Sequence, residues 1–116
     1  MGSSGAGAEG ILLREVKQML LLSGQVPLDS AGRCPDAFGD QCKLAWKNVE
    51  AQLSSVGRSL DDVAKVTTFL ADRRYADENM AIRNVIMADR KFANTVVIAG
   101  LYDANWLIEV EVVAAW

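Results

Sequence analysis

Hydrophobic residues occur in short runs along the chain, separated by polar and turn-forming segments. Ile11–Val16 and Met19–Val26 are two apolar runs on either side of Lys17-Gln18, and they predict a hairpin of two strands. Lys17-Gln18 lacks the Asn-Gly chemistry that such turns prefer. The next segment, Pro27–Pro35, begins and ends in proline and contains a glycine, which predicts a loop.

Two later segments have the three- and four-residue spacing of apolar side chains that is typical of helices. The first runs from Asp36 to Val56, with a stripe made of Phe38, Cys42, Ala45, Trp46, Val49, Leu53 and Val56. Gly57 then has the position of a C-cap glycine. The second predicted helix runs from Arg73 to Asp89, and its inward-facing residues are expected to be Tyr75, Ile82, Val85 and Ile86.

Three further runs predict strands, namely Val63–Leu70, Thr95–Leu101 and Trp106–Ala115, with a turn at Tyr102–Asn105 before the last of them. The order ββαβαββ predicts an α+β sheet with two helices on one face. Several of the strands are apolar at nearly every position, which is typical of strands buried on both faces. We therefore predict a homo-oligomer of cyclic symmetry in which the second face meets another copy of the chain.

Length and composition fit this interpretation. The chain has 116 residues, of which 51% are hydrophobic and 23% are charged, as in a globular protein of one domain. Residues 1–10 are small and flexible in character, and we interpret them as an artificial leader ahead of a single domain at 11–116. No apolar run reaches the ~18 residues of a membrane span, so no membrane partner is expected.

Charge and missing residue types exclude several functions. The chain has 12 Lys and Arg against 15 Asp and Glu, so we expect no nucleic-acid partner, which would need a basic surface. It has no histidine, which excludes Ser-His-Asp and Cys-His catalysis and histidine-ligated zinc sites. No metal site is predicted. Cys34 and Cys42 are expected to be free thiols in a reducing cytoplasm.

A few residues could carry chemistry. Ser23-Gly24-Gln25 combines a hydroxyl, an amide and a glycine that lets a ligand approach the backbone, although a plain strand end is the alternative. Glu109 and Glu111 share one face of the last strand, and could either activate water in a cleft or line an exposed or interface face neutralised by Lys or Arg. Asn94 is either a ligand-binding amide or an ordinary strand start. The tryptophans are interpreted as core or interface anchors.

Three motifs in register resemble the Rid family, also called YjgF or UK-type, the reactive enamine/imine deaminases. The segment Ser23-Gly24-Gln25-Val26-Pro27 resembles the family's SGQ(I/V)P segment. Gly57–Leu70 is similar to its third-strand signature, and Trp106–Ala114 is similar to its closing strand. The resemblance covers residues 11–116. It implies a chorismate-mutase-like fold, assembled as a homotrimer with ligand clefts between subunits.

The resemblance also implies an activity and a site. Family enzymes hydrolyse small enamines and imines to 2-keto acids and ammonia, and they need no cofactor. The family's water-handling glutamate corresponds to Glu109, which is the expected catalytic residue. The residues expected to bind substrate are Ser23, Gly24, Gln25, Asn94 and Val96. The family's arginine, which clamps the substrate carboxylate, corresponds to Asn94, and the cysteine of many members corresponds to Val96.

Asn94 predicts an altered substrate choice, because an amide cannot supply the positive charge of a bidentate arginine. Two functions follow from this. The first is a cofactor-free hydrolase or deaminase of the Rid type for a small imine, enamine or related amine. The second is a non-catalytic trimeric protein that binds a small molecule or regulates a partner. Ribonuclease activity is disfavoured by the acidic composition and the missing histidine.

Overall fold

The computed structural model describes residues 9–116, so most of the predicted leader at 1–10 lies outside the described residues. The strands are β1 (Met19–Leu21), β2 (Val63–Leu70), β3 (Ala93–Ile98) and β4 (Ile108–Ala115). The helices are α1 (Phe38–Ser55) and α2 (Ala76–Met87). Short 3-10 turns at Leu60–Asp62 and Arg73–Tyr75 precede β2 and α2. Among residues 9–116, no helix is long and apolar enough to cross a membrane.

The four strands form one mixed sheet in the order β1-β4-β2-β3. β4 is antiparallel to both of its neighbours, whereas β2 and β3 are parallel. A parallel pair needs a crossover connection, and α2 provides it. In this register Thr67 on β2 lies opposite Glu111 of β4 on one side and Thr95 of β3 on the other. The fold is the predicted α+β fold.

The predicted first strand, Ile11–Val16, is not formed as a continuous strand. The observed order is therefore βαβαββ, one strand shorter than the expected ββαβαββ. Glu15 has a φ of 56°, which breaks an extended conformation. The backbone N–H groups of Lys17 and Gln18 both donate to the carbonyl of Trp116, at 2.9 and 3.0 Å. The expected hairpin turn thus pairs with the C-terminus, and the apolar run at 19–26 pairs with β4 instead of folding back on residues 11–16.

Both helices cover the same face of the sheet, as predicted. The α1 stripe is buried from Phe38 to Leu53, with Trp46 in the centre of the core. Val56 is the exception, because it lies beyond the last turn and is half exposed. Gly57 follows with a φ of 74° and donates its N–H to the Ser54 carbonyl, which confirms the predicted cap.

The second helix differs from its prediction in two respects. The chain first makes a 3-10 turn, in which the Asp72 side chain accepts a hydrogen bond from the Arg74 N–H, and α2 begins only at Ala76. Val85 was expected to face inward but is 81% exposed, while Asn79 and Met87 are buried. The buried stripe of α2 is therefore rotated away from Val85, because the helix packs against α1 and the sheet through Ile82, Ile86 and Met87.

The sheet has one covered face and one open face in a single chain. Val66, Val110 and their alternate neighbours on β2 and β4 are buried beneath the helices. On the opposite face, Met19 and Leu21 of β1 are 60% and 70% exposed. At the sheet edge, β3 begins two residues earlier than predicted and ends at Ile98, with its valines and isoleucine partly exposed. Whether another copy covers the open face stays a prediction.

Candidate active site

The Ser23-Gly24-Gln25 segment lies where the pairing of β1 with β4 is interrupted by a bulge. Leu21 pairs with Val113, and the next bridge joins Gln25 to Val110. Three residues on the first chain segment therefore lie opposite two residues of β4. A bulge of this kind bends the strand and redirects side chains, and bulges are frequent beside active sites. Strand pairing thus continues past Gly24 to Gln25.

Glu109 on β4 directs its carboxylate at Gly24. A Cβ atom placed on Gly24 would lie 2.5 Å from the Glu109 Cδ, 2.8 Å from its Cγ, and closer still to its Oε2. Real side chains do not tolerate such contacts, so only glycine leaves room for this carboxylate. Ser23 is exposed beside it, and its carbonyl accepts a hydrogen bond of 2.8 Å from the Gln25 Nε2. The bulge therefore groups a carboxylate, a hydroxyl and an open stretch of backbone.

The two glutamates of β4 lie on the open face of the sheet, but in different surroundings. Glu109 is half-buried and lies opposite Phe69 of β2, whereas Glu111 is exposed and lies opposite Thr67. Glu109 therefore has an aromatic neighbour and a bulged backbone on its two sides. This environment differs from that of Glu111, although the two residues are only two positions apart.

Among residues 9–116, neither glutamate forms an ion pair with a Lys or Arg, and the alternative of an interface face neutralised by another copy stays a prediction. Within residues 9–116, the single ion pair is Arg90 with Asp61, at 2.8 Å and away from this face. Lys65 does lie on the open face, but its Nζ donates to the Thr95 hydroxyl. A half-buried carboxylate without a counterion can accept a proton from water, which is the property of a general base.

The cysteines do not add a nucleophile to this site. Both are free: Cys42 is buried in the core and Cys34 is partly buried in the loop before α1. Burial, reinforced by the charge of Glu78, raises the pKa of Cys42 to about 12. Burial and then the charges of Asp103 and Asp36 raise the pKa of Cys34. Both thiols are therefore protonated at neutral pH, and thiols react as thiolates.

Asn94 and Val96 lie elsewhere in the same protomer. They belong to β3, the far edge strand, where Asn94 pairs with Val66 and Val96 pairs with Thr68. This register directs them towards the helix-covered face, opposite to that of Glu109. Strands are ~4.8 Å apart, so β3 lies ~14 Å from the β1 segment, three spacings away, and ~10 Å from β4 and Glu109, two spacings away. The predicted site residues therefore form two groups that a single chain does not bring together.

Two residues near these groups were missed by the sequence analysis. Phe69 lies against Glu109, and only the strand order reveals this. Arg83 lies on α2, one turn after the buried Asn79 and one turn before the buried Met87. The spacing of Arg83 within the apolar stripe is a signal that the sequence does contain, because arginine is seldom placed on the buried side of a helix.

Known proteins are similar to this chain over most of its length. The family model described as Endoribonuclease L-PSP matches residues 11–116. The RutC family protein YjgH of Escherichia coli is 30% identical over 97 residues, which cover 83% of this chain and 74% of that protein. TdcF of Escherichia coli, provisionally named a reactive intermediate deaminase, is 32% identical over 72 residues. That match covers 61% of this chain and about half of TdcF, 54%.

The fold is shared with solved structures. A crystal structure of a Thermotoga maritima protein superposes with a TM-score of 0.80 at 25% identity, covering 94% of this chain and 85% of the other. Its sequence identity is modest, but the superposition extends over nearly all of the described residues. The chain belongs to the Endoribonuclease L-PSP family, which includes the YjgF, RutC and Rid proteins.

Proposed function

We propose that the chain is a cofactor-free hydrolase of the Rid type that converts a small imine or enamine into a carbonyl compound and ammonia. The observation that carries this proposal is the half-buried carboxylate of Glu109, which has no counterion among residues 9–116 and lies against Gly24 at a strand bulge. The 32% identity with TdcF, whose name refers to reactive intermediate deaminases, supports the same reaction class.

The reaction needs one water and no redox step. Glu109 takes a proton from water as the water oxygen bonds to the imine carbon and the C=N π electrons move to nitrogen, and Glu109 then gives this proton to the nitrogen to form a neutral carbinolamine. Glu109 next takes the hydroxyl proton as the C=O bond forms and the C–N bond breaks, and it passes this proton to the departing nitrogen, which leaves as ammonia. An enamine first gains a proton on carbon and loses one from nitrogen to become the imine. Positioned proton transfer of this kind typically accelerates a reaction by ~10²–10⁴-fold.

We propose that the site is completed between copies of a homotrimer. Within one chain, Asn94 and Val96 lie on the opposite sheet face, ~14 Å from the segment of Ser23 and Gly24 and ~10 Å from Glu109. The exposed Met19 and Leu21 beside the first group offer an apolar surface for a second copy. An assembly in which one copy's β3 edge meets the next copy's bulge would unite the two groups. The free thiols support a reducing compartment, and we place the protein in the cytoplasm.

The test is a panel of small imines and enamines generated in solution, with ammonia and the keto product measured together. The proposal expects equal amounts of both products, a rate proportional to the trimer concentration, and no requirement for an added metal or cofactor. If the protein binds members of the panel without accelerating their hydrolysis, the enzyme proposal is wrong.

The second candidate is a non-catalytic trimeric protein that binds a small molecule. Asn94 favours it, because the amide lacks the charge that an arginine would bring to a carboxylate. Thermal stabilisation of the protein by a ligand, with no product formed, would select this function. We do not extend the family's endoribonuclease description to this chain, because its 12 basic residues are outnumbered by 15 acidic ones.

A further inference from the structure

The helix α1 carries two amide side chains, Gln41 and Asn48, that bind backbone groups outside the helix. They are seven residues apart, which is close to two turns of 3.6 residues, so they lie on the same side of α1. Along the helix axis they are about 10 Å apart, at 1.5 Å per residue. Each of them holds one of the two chain segments that meet at the candidate site.

Asn48 holds the segment that follows the bulge. Its Nδ2 donates to the carbonyls of Val26 and Leu28, each at 2.9 Å. On the sheet side, Gln25 is joined to Val110 by an isolated bridge, so the strand pairing alone gives this segment little support. The two hydrogen bonds from Asn48 therefore fix the backbone directly after Gln25.

Gln41 holds the segment that precedes Glu109. It is only 1% exposed, and its Oε1 accepts a hydrogen bond of 2.8 Å from the Leu107 N–H. Its Nε2 donates to the Asn105 carbonyl at 3.0 Å and to the Pro35 carbonyl at 2.8 Å. Both N–H groups and the oxygen of this buried amide are thus used, and a fully bonded buried amide makes its surroundings rigid. Leu107 comes two residues before Glu109, so Gln41 fixes the chain where it enters β4.

The two segments meet where the Glu109 carboxylate lies against Gly24. We propose that Gln41 and Asn48 are positioning residues that set this carboxylate against the bulge, with α1 as the rigid spacer between them. A misplacement of about 1 Å can lower the rate of an enzyme about 100-fold, so a small shift of either segment is enough to impair the site. The inference rests on the proposed function for its effect on turnover.

The experiment begins with Asn48→Ala. The variant should fold, because the two carbonyls that it frees belong to half-buried residues and can turn to water. It should lower kcat for a small imine about 10-fold. Gln52→Ala is the matched control, since Gln52 is an exposed amide one turn later on the same helix, and its kcat should stay within about twofold of wild type.

A double-mutant comparison separates positioning from a merely structural role. Asn48→Ala is introduced into wild type and into Glu109→Gln, and kcat is measured in both backgrounds. A positioning residue acts through the group that it places, so the loss should shrink to less than about twofold in the Glu109→Gln background. A variant that only loses folded protein would lose the same fraction of kcat in both.

Amide hydrogen exchange followed by NMR gives a readout that needs no activity. The N–H groups of Gln25 and Leu28 donate within the segment that Asn48 holds. Relative to the buried Val66 in β2, their exchange should be at least about 10-fold faster in Asn48→Ala. Gln41→Met keeps the length of the side chain and removes its three hydrogen bonds, so exchange should accelerate in the same way at Leu107.

The outcomes distinguish this inference from the proposed function. An equal fractional loss of kcat in the two backgrounds overturns the inference, and so does exchange at the wild-type rate for Gln25 and Leu28 in Asn48→Ala. If Gln41→Met does not fold, these measurements on Asn48→Ala decide alone. Faster exchange confined to the held segments, with no turnover even by the wild type, supports the positioning by α1 and contradicts the hydrolase.

Discussion

The carboxylate of Glu109 occupies the space that a side chain on Gly24 would need. Glu109 comes from the middle of the sheet, on β4, and Gly24 comes from the bulge that follows β1. The two residues are far apart in sequence, and the adjacency of β1 and β4 brings them into contact. The glycine is therefore required by the position of the glutamate and not by a positive φ of its own.

Replacement of Gly24 by alanine should displace the Glu109 carboxylate. The new Cβ would come within 2.8 Å of the Glu109 Cγ, so the side chain must rotate away from the bulge. Because the carboxylate is the flexible end of a half-buried side chain, the free energy of unfolding should fall by only about 1 kcal/mol, the low end of the overpacking range. Turnover should fall at least about tenfold, as expected for a displaced general base.

Two further variants test whether the loss of turnover in Gly24→Ala comes from displacement of the Glu109 carboxylate. Gly100→Ala is the matched control, because a Cβ at Gly100 would have no neighbour within 4 Å, and its turnover and stability should match wild type. In the double variant Gly24→Ala/Glu109→Ala, loss of the Cγ, Cδ and Oε2 atoms should relieve the crowding and recover the stability lost in Gly24→Ala. Equal turnover by Gly24→Ala and wild type would show that the position of the carboxylate is unimportant.

The open face of the sheet should be a subunit interface. Leu21 is 70% exposed in the single chain, and Leu21→Glu places a charge on this apolar surface, so it should convert the proposed trimer into monomers. Val85→Glu is the control, since Val85 is 81% exposed but lies on α2, and this variant should remain a trimer. Sedimentation at micromolar concentration distinguishes the two. A stable wild-type monomer under those conditions would show that the open face is not an interface.

The two cysteines should differ in their reaction with iodoacetamide. Cys42 is fully buried and its pKa is about 12, so at pH 8 it should be alkylated only when the protein unfolds. Cys34 is partly exposed and should react in the folded protein, but more slowly than an ordinary thiol, because its pKa is also raised. Mass spectrometry with and without urea gives both rates. Rapid labelling of Cys42 in the native state would contradict the buried position.

Much of the fold is encoded in local patterns. Val63–Leu70 agrees with its prediction at both ends, because a run rich in valine and threonine is bounded by a turn on one side and by Asp72 on the other. The α1 stripe was also predicted correctly from Phe38 to Leu53. These elements bury continuous apolar faces, and such faces produce the periodicity that a sequence displays.

The predictions that were wrong concern contacts between residues far apart in the sequence, which a local pattern does not reveal. Ile11–Val16 has strand-like composition, but Lys17 and Gln18 pair with Trp116 at the other end of the chain, so the hairpin does not form. Val85 was assigned to the wrong side of α2, because the periodicity of that short helix leaves its orientation to packing against α1. Tertiary contacts determine both the pairing of Lys17 and Gln18 and the orientation of α2.

The candidate site could likewise be predicted from the sequence only in part. Ser23, Gly24, Glu109 and Asn94 could be identified as candidates from the sequence, because the motifs that contain them are visible in the sequence alone. Their arrangement was not recognisable, since it depends on the strand order β1-β4-β2-β3 and on a one-residue bulge. Arg83 was overlooked for a related reason. It follows no motif, and only the helix packing reveals that its guanidinium lies over the ring of Phe92, just before β3.

The most direct measurement compares Glu109→Gln with Glu111→Gln in the steady-state hydrolysis of a small imine. Both substitutions remove one carboxylate from the same face of the same strand, but only Glu109 lies against Gly24. Glu109→Gln should lower kcat by about 100-fold or more while the oligomeric state and Tm of the wild type are retained, and Glu111→Gln should stay within about threefold of wild type. Turnover by Glu109→Gln at the wild-type rate, or an equal loss in both variants, would contradict the proposed role of Glu109.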